Sequence, residues 1–178
     1  RYNWTLFIDA DEYISDALRE EIKRSLPTTT DTGFRMQRID TFMGKKLRYG
    51  ETGSLFLLRL AQTTSGVWER PVHEYWNVQG KVGTFRSPLM HAPHISISSF
   101  LGKIDQYTTI EVKHRFHLGK RFYVIECIIF PFVKFFQNYI VRQGWRDGFP
   151  GLAMAYMMSL HSLIVRVKLF ETWRQDAH

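Results

Sequence analysis

Three short stretches of this 178-residue chain carry the side chains that do chemistry. Asp9 and Asp11 stand two apart with Glu12 beside them, directly after the apolar run Trp4 to Ile8. A bent turn at the end of such a strand can direct both carboxylates towards one cation, and hard oxygen donors select Mg2+ or Mn2+. A divalent ion held in this way bridges the two phosphates of a nucleotide diphosphate and stabilises charge on that group as it leaves. Asp-x-Asp alone is more commonly the acidic entry turn of a helix than a cation site; the apolar strand before it narrows that gap. The second stretch, Trp68 to Trp76, packs Glu74, Arg70 and His73 between large aromatics. Glu74 there can take a proton from an attacking hydroxyl, Arg70 and His73 can contact a polar substrate, and Trp76 can stack on a sugar ring. The competing reading pairs Glu74 with Arg70 on a strand edge. The third stretch, Leu89 to His94, places His91 after a strand and before a helix. Its imidazole would be the one nitrogen ligand beside the oxygens of Asp9 and Asp11, and His94 is read as a helix-entry residue.

The elements that must position these groups are legible in the pattern. Trp4 to Ile8 reads as a buried strand ending at the acidic turn. Ser15 caps a helix over 16–25, with Leu18, Ile22 and Leu26 on one face and Pro27 ending it. Strands are expected over 34–42, 47–49, 55–61, 75–78 and 82–85, with a turn at Gly44-Lys45. From Ser96 the periodicity becomes helical, with further helices over 122–141 and 152–170, and a structured loop over 142–151. The fold class is α/β, a mixed sheet followed by amphipathic helices. The expected division is 1–112 for the sheet domain and 113–178 for a basic, aromatic helical extension.

Composition narrows the partners. The chain is 44% apolar and 15% aromatic with five tryptophans, which excludes a disordered tail. Its formal charge is +7, and residues 113–178 hold ten Lys/Arg against four acids, a net of +6. Those cations are dispersed along apolar helices and lack any readout motif, so nucleic acid is not an expected partner. Cys127 is the only cysteine, which rules out an intramolecular disulfide and fits a reducing compartment. No signal-peptide pattern opens the chain, and a sequence that begins on a core strand reads as the later part of a longer fold. The run Phe122 to Phe136 is broken by Glu126, Pro131 and Lys134, short of the roughly 20 apolar residues that a span needs. It suits a helix lying among lipid headgroups, with Phe132, Lys134, Phe135, Phe136 and Trp145 as the contacts; a buried core helix fits it equally.

Taken in order, Trp-x-Leu-x-Ile-Asp-Ala-Asp-Glu, then Gly-Lys with an Arg-Leu strand, then Glu-Arg-x-Val-His-Glu, then Pro-Leu-Met-His resemble the family 2 glycosyltransferases of GT-A fold. The resemblance is to the lipopolysaccharide-core β-glucosyltransferase type, and extends through Gly-Trp-Arg-Asp-Gly-Phe-Pro-Gly. It implies the C-terminal part of a GT-A, Rossmann-like domain, with the nucleotide-binding half absent from this chain. It also implies Asp9 and Asp11 as the metal motif, Asp11 as the direct ligand, His91 completing the metal or diphosphate site, and Glu74 as catalytic base. The implied reaction is a single inverting displacement from a nucleotide-diphosphate sugar, a UDP-sugar, to a lipid-linked or saccharide acceptor. The implied place is the cytoplasmic inner face of the cell membrane. The Gln-x-x-Arg-Trp signature of processive synthases is missing, since Arg142 to Arg146 has the wrong order, so one sugar per turn is expected. The rivals are a metal-dependent phosphoester hydrolase and a non-catalytic membrane-binding module built on 113–178.

Overall fold

A computed structural model describes residues 3–69, 75–92 and 97–176. It is mixed α/β and forms two compact units, Arg1–His94 and Ile95–His178. The sequence division at 112/113 falls inside a helix of the second unit.

In the first unit, strand β1 (Trp4–Leu6) leads through the acidic turn into β2 (Glu12–Ile14) and then helix α1 (Asp16–Ser25). The Ser15 hydroxyl accepts the Leu18 amide at 3.2 Å, which satisfies one of the orphan N–H groups of the first turn. Strand β3 (Gly33–Phe42) turns through Met43 and Gly44, both at positive φ, into the two-residue β4 (Lys45–Lys46). Two successive positive-φ residues match the right-handed strand twist of a tight hairpin. Strand β5 (Phe56–Gln62), the hairpin β6 (Gly66–Glu69) and β7 (Tyr75–Val78), β8 (Val82–Thr84) and β9 (Leu89–His91) follow. The strand expected over 47–49 is absent. The Leu47 amide still bonds the Asp40 carbonyl at 2.8 Å, but Gly50 then adopts φ +73 and a short 3-10 turn at Thr52–Ser54 carries the chain off the sheet.

The main sheet has the order β1-β5-β3-β9-β2, with β4 and β8 also paired to β3. β1 and β5 run antiparallel to their neighbours, whereas β8 and β9 lie parallel to successive halves of β3. β3 is therefore the hub. Its even positions Phe34, Met36, Asp40 and Phe42 are buried, and Phe34, Met36 and Leu60 join Leu18, Phe85 and Leu89 in one core. Phe34 and Phe85 stack with ring centroids 4.4 Å apart, which closes the core where β8 ends.

The second unit is helical: α2 (Ile97–His117), α3 (Glu126–Phe136), a π-helical segment Gln137–Val141, a 3-10 turn Gly144–Asp147 and α4 (Phe149–Asp176). α3 starts four residues later than its apolar run, because Glu126 is the first residue of the regular helix. Pro131 sits inside α3, and its carbonyl accepts the Ser159 hydroxyl of α4 at 2.7 Å. Val112 of α2 packs with Val165 and Leu169 of α4, joined by Phe116 and Trp173. By length and composition α4 is long enough and apolar enough to cross a membrane, with 22% of its most apolar stretch buried.

Candidate functional site

The acidic turn closes on itself. The Glu12 amide donates to the Asp9 carbonyl at 3.0 Å, and the Asp9 amide donates to Glu12 Oε2 at 3.0 Å. This reciprocal pair fixes the turn and draws the Glu12 carboxylate into the protein, where its side chain is 0% exposed. A buried carboxylate needs a cation, and β5 supplies it. Arg59 Nη2 bonds Glu12 Oε1 at 3.0 Å and Asp9 Oδ2 at 2.5 Å, so one guanidinium ties the turn to the sheet. Arg38 of β3 approaches the same Glu12 oxygen at 3.8 Å and donates from Nε to Asp40 Oδ1 at 3.0 Å.

The parallel pairing of β3 with β9 sets Asp40 opposite His91. Asp40 Oδ1 and His91 Nδ1 are 2.9 Å apart, and on the far side of the ring Nε2 lies 3.3 Å from Asp11 Oδ2. With Nδ1–H donated to Asp40, Nε2 presents its lone pair to the Asp11 carboxylate. Two electron-rich atoms at that distance call for a proton or a cation between them. Two ligands about 2.1 Å from one Mg2+ and at right angles lie about 3.0 Å apart, so Asp11 and His91 fit adjacent positions on one divalent ion. Asp40 behind the ring fixes its orientation, as a carboxylate does for a histidine that ligates a metal. Asp11 is the more open partner, 35% exposed, and its backbone carbonyl accepts the Ala92 amide at 3.0 Å.

Asp9 and Asp11 therefore have different tasks in this geometry: Arg59 engages Asp9, while His91 faces Asp11. Among the described residues no group of three or more His, Cys, Asp or Glu side chains is placed to hold a metal ion. Glu74, Arg70 and His73 lie outside the described residues. Trp76, read as a sugar platform, is 5% exposed and packs into an aromatic cluster. It stacks on Trp68 across the hairpin at 6.0 Å and meets Phe7 in a T-shaped contact at 4.9 Å. The rings of this cluster offered to solvent are Trp68 and Phe7.

Sequence reading missed Glu12 as an anchor and missed Arg38, Asp40 and Arg59 altogether. A signal for two of them exists. Arg38 and Asp40 fall on the same alternating face of β3 as Phe34, Met36 and Phe42, and charged residues on a core face imply partners.

Over 94% of its length the chain is similar to the lipopolysaccharide core biosynthesis glycosyltransferase LpsC of Rhizobium meliloti (strain 1021), with 26% identity over 172 residues. The chain covers 64% of that protein, a little under two thirds. No protein-family profile matches the chain, and no solved structure matches it significantly. The chain is thus a distant relative of a protein named as a glycosyltransferase.

Proposed function

We propose that this chain supplies the metal and acceptor side of an inverting, non-processive glycosyltransferase of GT-A type in cell-envelope glycan synthesis. The donor is a nucleotide-diphosphate sugar, expected to be a UDP-sugar, and the acceptor a lipid-linked or other saccharide. One observation carries the reading: Asp11 and the Asp40-oriented His91 face each other at 3.3 Å beside the acidic turn, in a chain similar to a named glycosyltransferase. A bound Mg2+ or Mn2+ would hold the donor diphosphate and neutralise charge on the departing nucleoside diphosphate. Asp11 Oδ2 and His91 Nε2 would be its ligands; Asp40 holds the ring, and Arg59 holds Asp9 and the turn. Glu74 takes the proton of the acceptor hydroxyl as that oxygen attacks the anomeric carbon; the sequence context of Glu74 supports this role.

The test is transfer of labelled sugar from nucleotide-sugar donors to glycolipid acceptors by the intact protein. Asp11→Asn and Glu74→Gln should each lower transfer by about a hundredfold or more without loss of fold. Retained transfer in Glu74→Gln would remove that residue's role. Release of free phosphate with no glycosylated product would replace the transferase reading with the hydrolase.

A further inference from the structure

α3 turns polar contacts towards α4 and an apolar face outward, the reverse of a helix built to face water. Several polar groups lie between the two helices. Arg166 of α4 is buried, with Nε 3.7 Å from Glu126 Oε2 and its guanidinium 3.9 Å from the centre of the Phe130 ring. The Ser159 hydroxyl donates to Pro131, and Asn138 is buried with its amide donated to the Lys134 carbonyl. On the opposite face, Ile125, Ile128, Ile129, Phe132, Phe136 and Ile140 recur at spacings of three or four, each 46% to 69% exposed. No residue of α3 is fully buried, although the helix is apolar almost throughout. An exposed apolar stripe of that length marks a surface that is covered in use.

We infer that this outer face of α3 docks on a lipid bilayer carrying anionic headgroups, with the helix in the interface plane and the stripe at the acyl boundary. Charge points to lipid. Lys120 and Arg121 stand exposed just before α3, and exposed Arg146 follows it, so cations flank both ends of the stripe. Exposed Tyr123 and Trp145 sit beside them, the amphipathic rings that favour the headgroup level. Between these ends the six stripe residues have no polar side-chain atom, whereas a protein partner would be met by hydrogen-bonding groups about every 100–200 Å2.

The geometry sharpens which side chains make the contact. Phe132, Phe136 and Trp145 face outward, whereas Phe135 packs on Tyr139 and Tyr156 at 5.4 Å and 4.6 Å and Lys134 is half-buried. In this arrangement α4 packs on the side of α3 away from the bilayer and does not cross it. Its later half is bound to α2 through the Val112, Val165 and Leu169 core and through Lys168, whose ammonium bonds Asp105 at 2.6 Å. The docking stands apart from the proposed chemistry and does not depend on it.

The experiment is co-sedimentation of the whole chain with vesicles of phosphatidylcholine plus phosphatidylglycerol, against phosphatidylcholine alone. Binding should favour the anionic vesicles by on the order of a hundredfold, as three cations near the surface produce. Ile128→Glu with Phe132→Glu should weaken binding at least about tenfold, and circular dichroism should show helix content retained. Lys120→Gln with Arg121→Gln should remove most of the preference for anionic lipid while leaving the stripe intact. Phe56→Glu, an exposed position in the first unit, should bind as the parent does. Equal sedimentation of the Ile128/Phe132 variant, or no preference for anionic vesicles, overturns the inference. So does a dimer in vesicle-free solution that the glutamates convert to monomer while lipid binding stays unchanged, since the stripe would then cover a second copy.

Discussion

Replacing Arg59 by Met should be among the most damaging single changes in the first unit, and its cost follows from the pairing. The guanidinium is the only cation within 3.0 Å of the fully buried Glu12 carboxylate among the described residues, with Arg38 next at 3.8 Å. Methionine keeps much of the volume and removes the charge, so packing loss is small. Breaking a buried pair by removing one partner costs roughly 3–5 kcal/mol, because the remaining charge is stranded away from water. Arg38 offsets part of this, which places the expected loss near the lower end, about 3 kcal/mol. With a urea slope of about 2 kcal/mol/M, the unfolding midpoint should fall by about 1.5 M. Tryptophan fluorescence follows the transition, since Trp4, Trp68 and Trp76 all lie in the first unit. The double variant Arg59→Met with Glu12→Leu isolates the mechanism: an apolar pair in place of the ion pair should recover most of the loss. If Arg59→Met shifts the midpoint by less than about 0.3 M, or if the double variant is no more stable than the single, the stranded carboxylate is not the cause and the reasoning is wrong.

Asp40→Asn should weaken Mn2+ binding by about 10–100-fold, read by electron paramagnetic resonance of the free ion, because the histidine loses the carboxylate that orients it; unchanged affinity would separate Asp40 from the proposed metal. Gly151→Ala places a methyl 2.0 Å from the Gly144 carbonyl oxygen and 2.9 Å from Asp147 Cβ. That backbone contact cannot move aside as a flexible side chain would, so the second unit should lose about 1–3 kcal/mol in thermal unfolding, and a neutral result would refute the close approach. Leu18→Ala should cost about 2–5 kcal/mol, since Leu18 is fully buried at the centre of the core beneath α1. Ser15→Ala should cost about 1 kcal/mol through the lost cap, a change visible in the same denaturation experiment.

What the sequence determined by itself was the local grammar. Helix α1 was legible to the residue because its cap, its buried face and its terminating proline are neighbours in the chain, and capping and periodicity are local interactions. β3 and β7 were legible for the same reason, as alternation and flanking turns need no distant partner. The segment over 47–49 looked like a strand and is not one, because its fate depends on Gly50 turning the chain away, not on its own propensity. The acidic turn, His91 and the outward Phe132 and Phe136 were visible as residue types in a suggestive order. Their partners were not. Asp40 meets His91 across 51 positions, and Arg59 meets Asp9 across 50, distances that only strand order and register can close. Tertiary structure alone decided that Asp9 faces a guanidinium while Asp11 faces an imidazole. It also decided that α3 turns Glu126 inward and its isoleucines out. The physical reason is the same in both: a buried charge must find its counter-charge wherever the fold has placed one, and a side chain's environment is set by which neighbour covers it, which the linear pattern does not state.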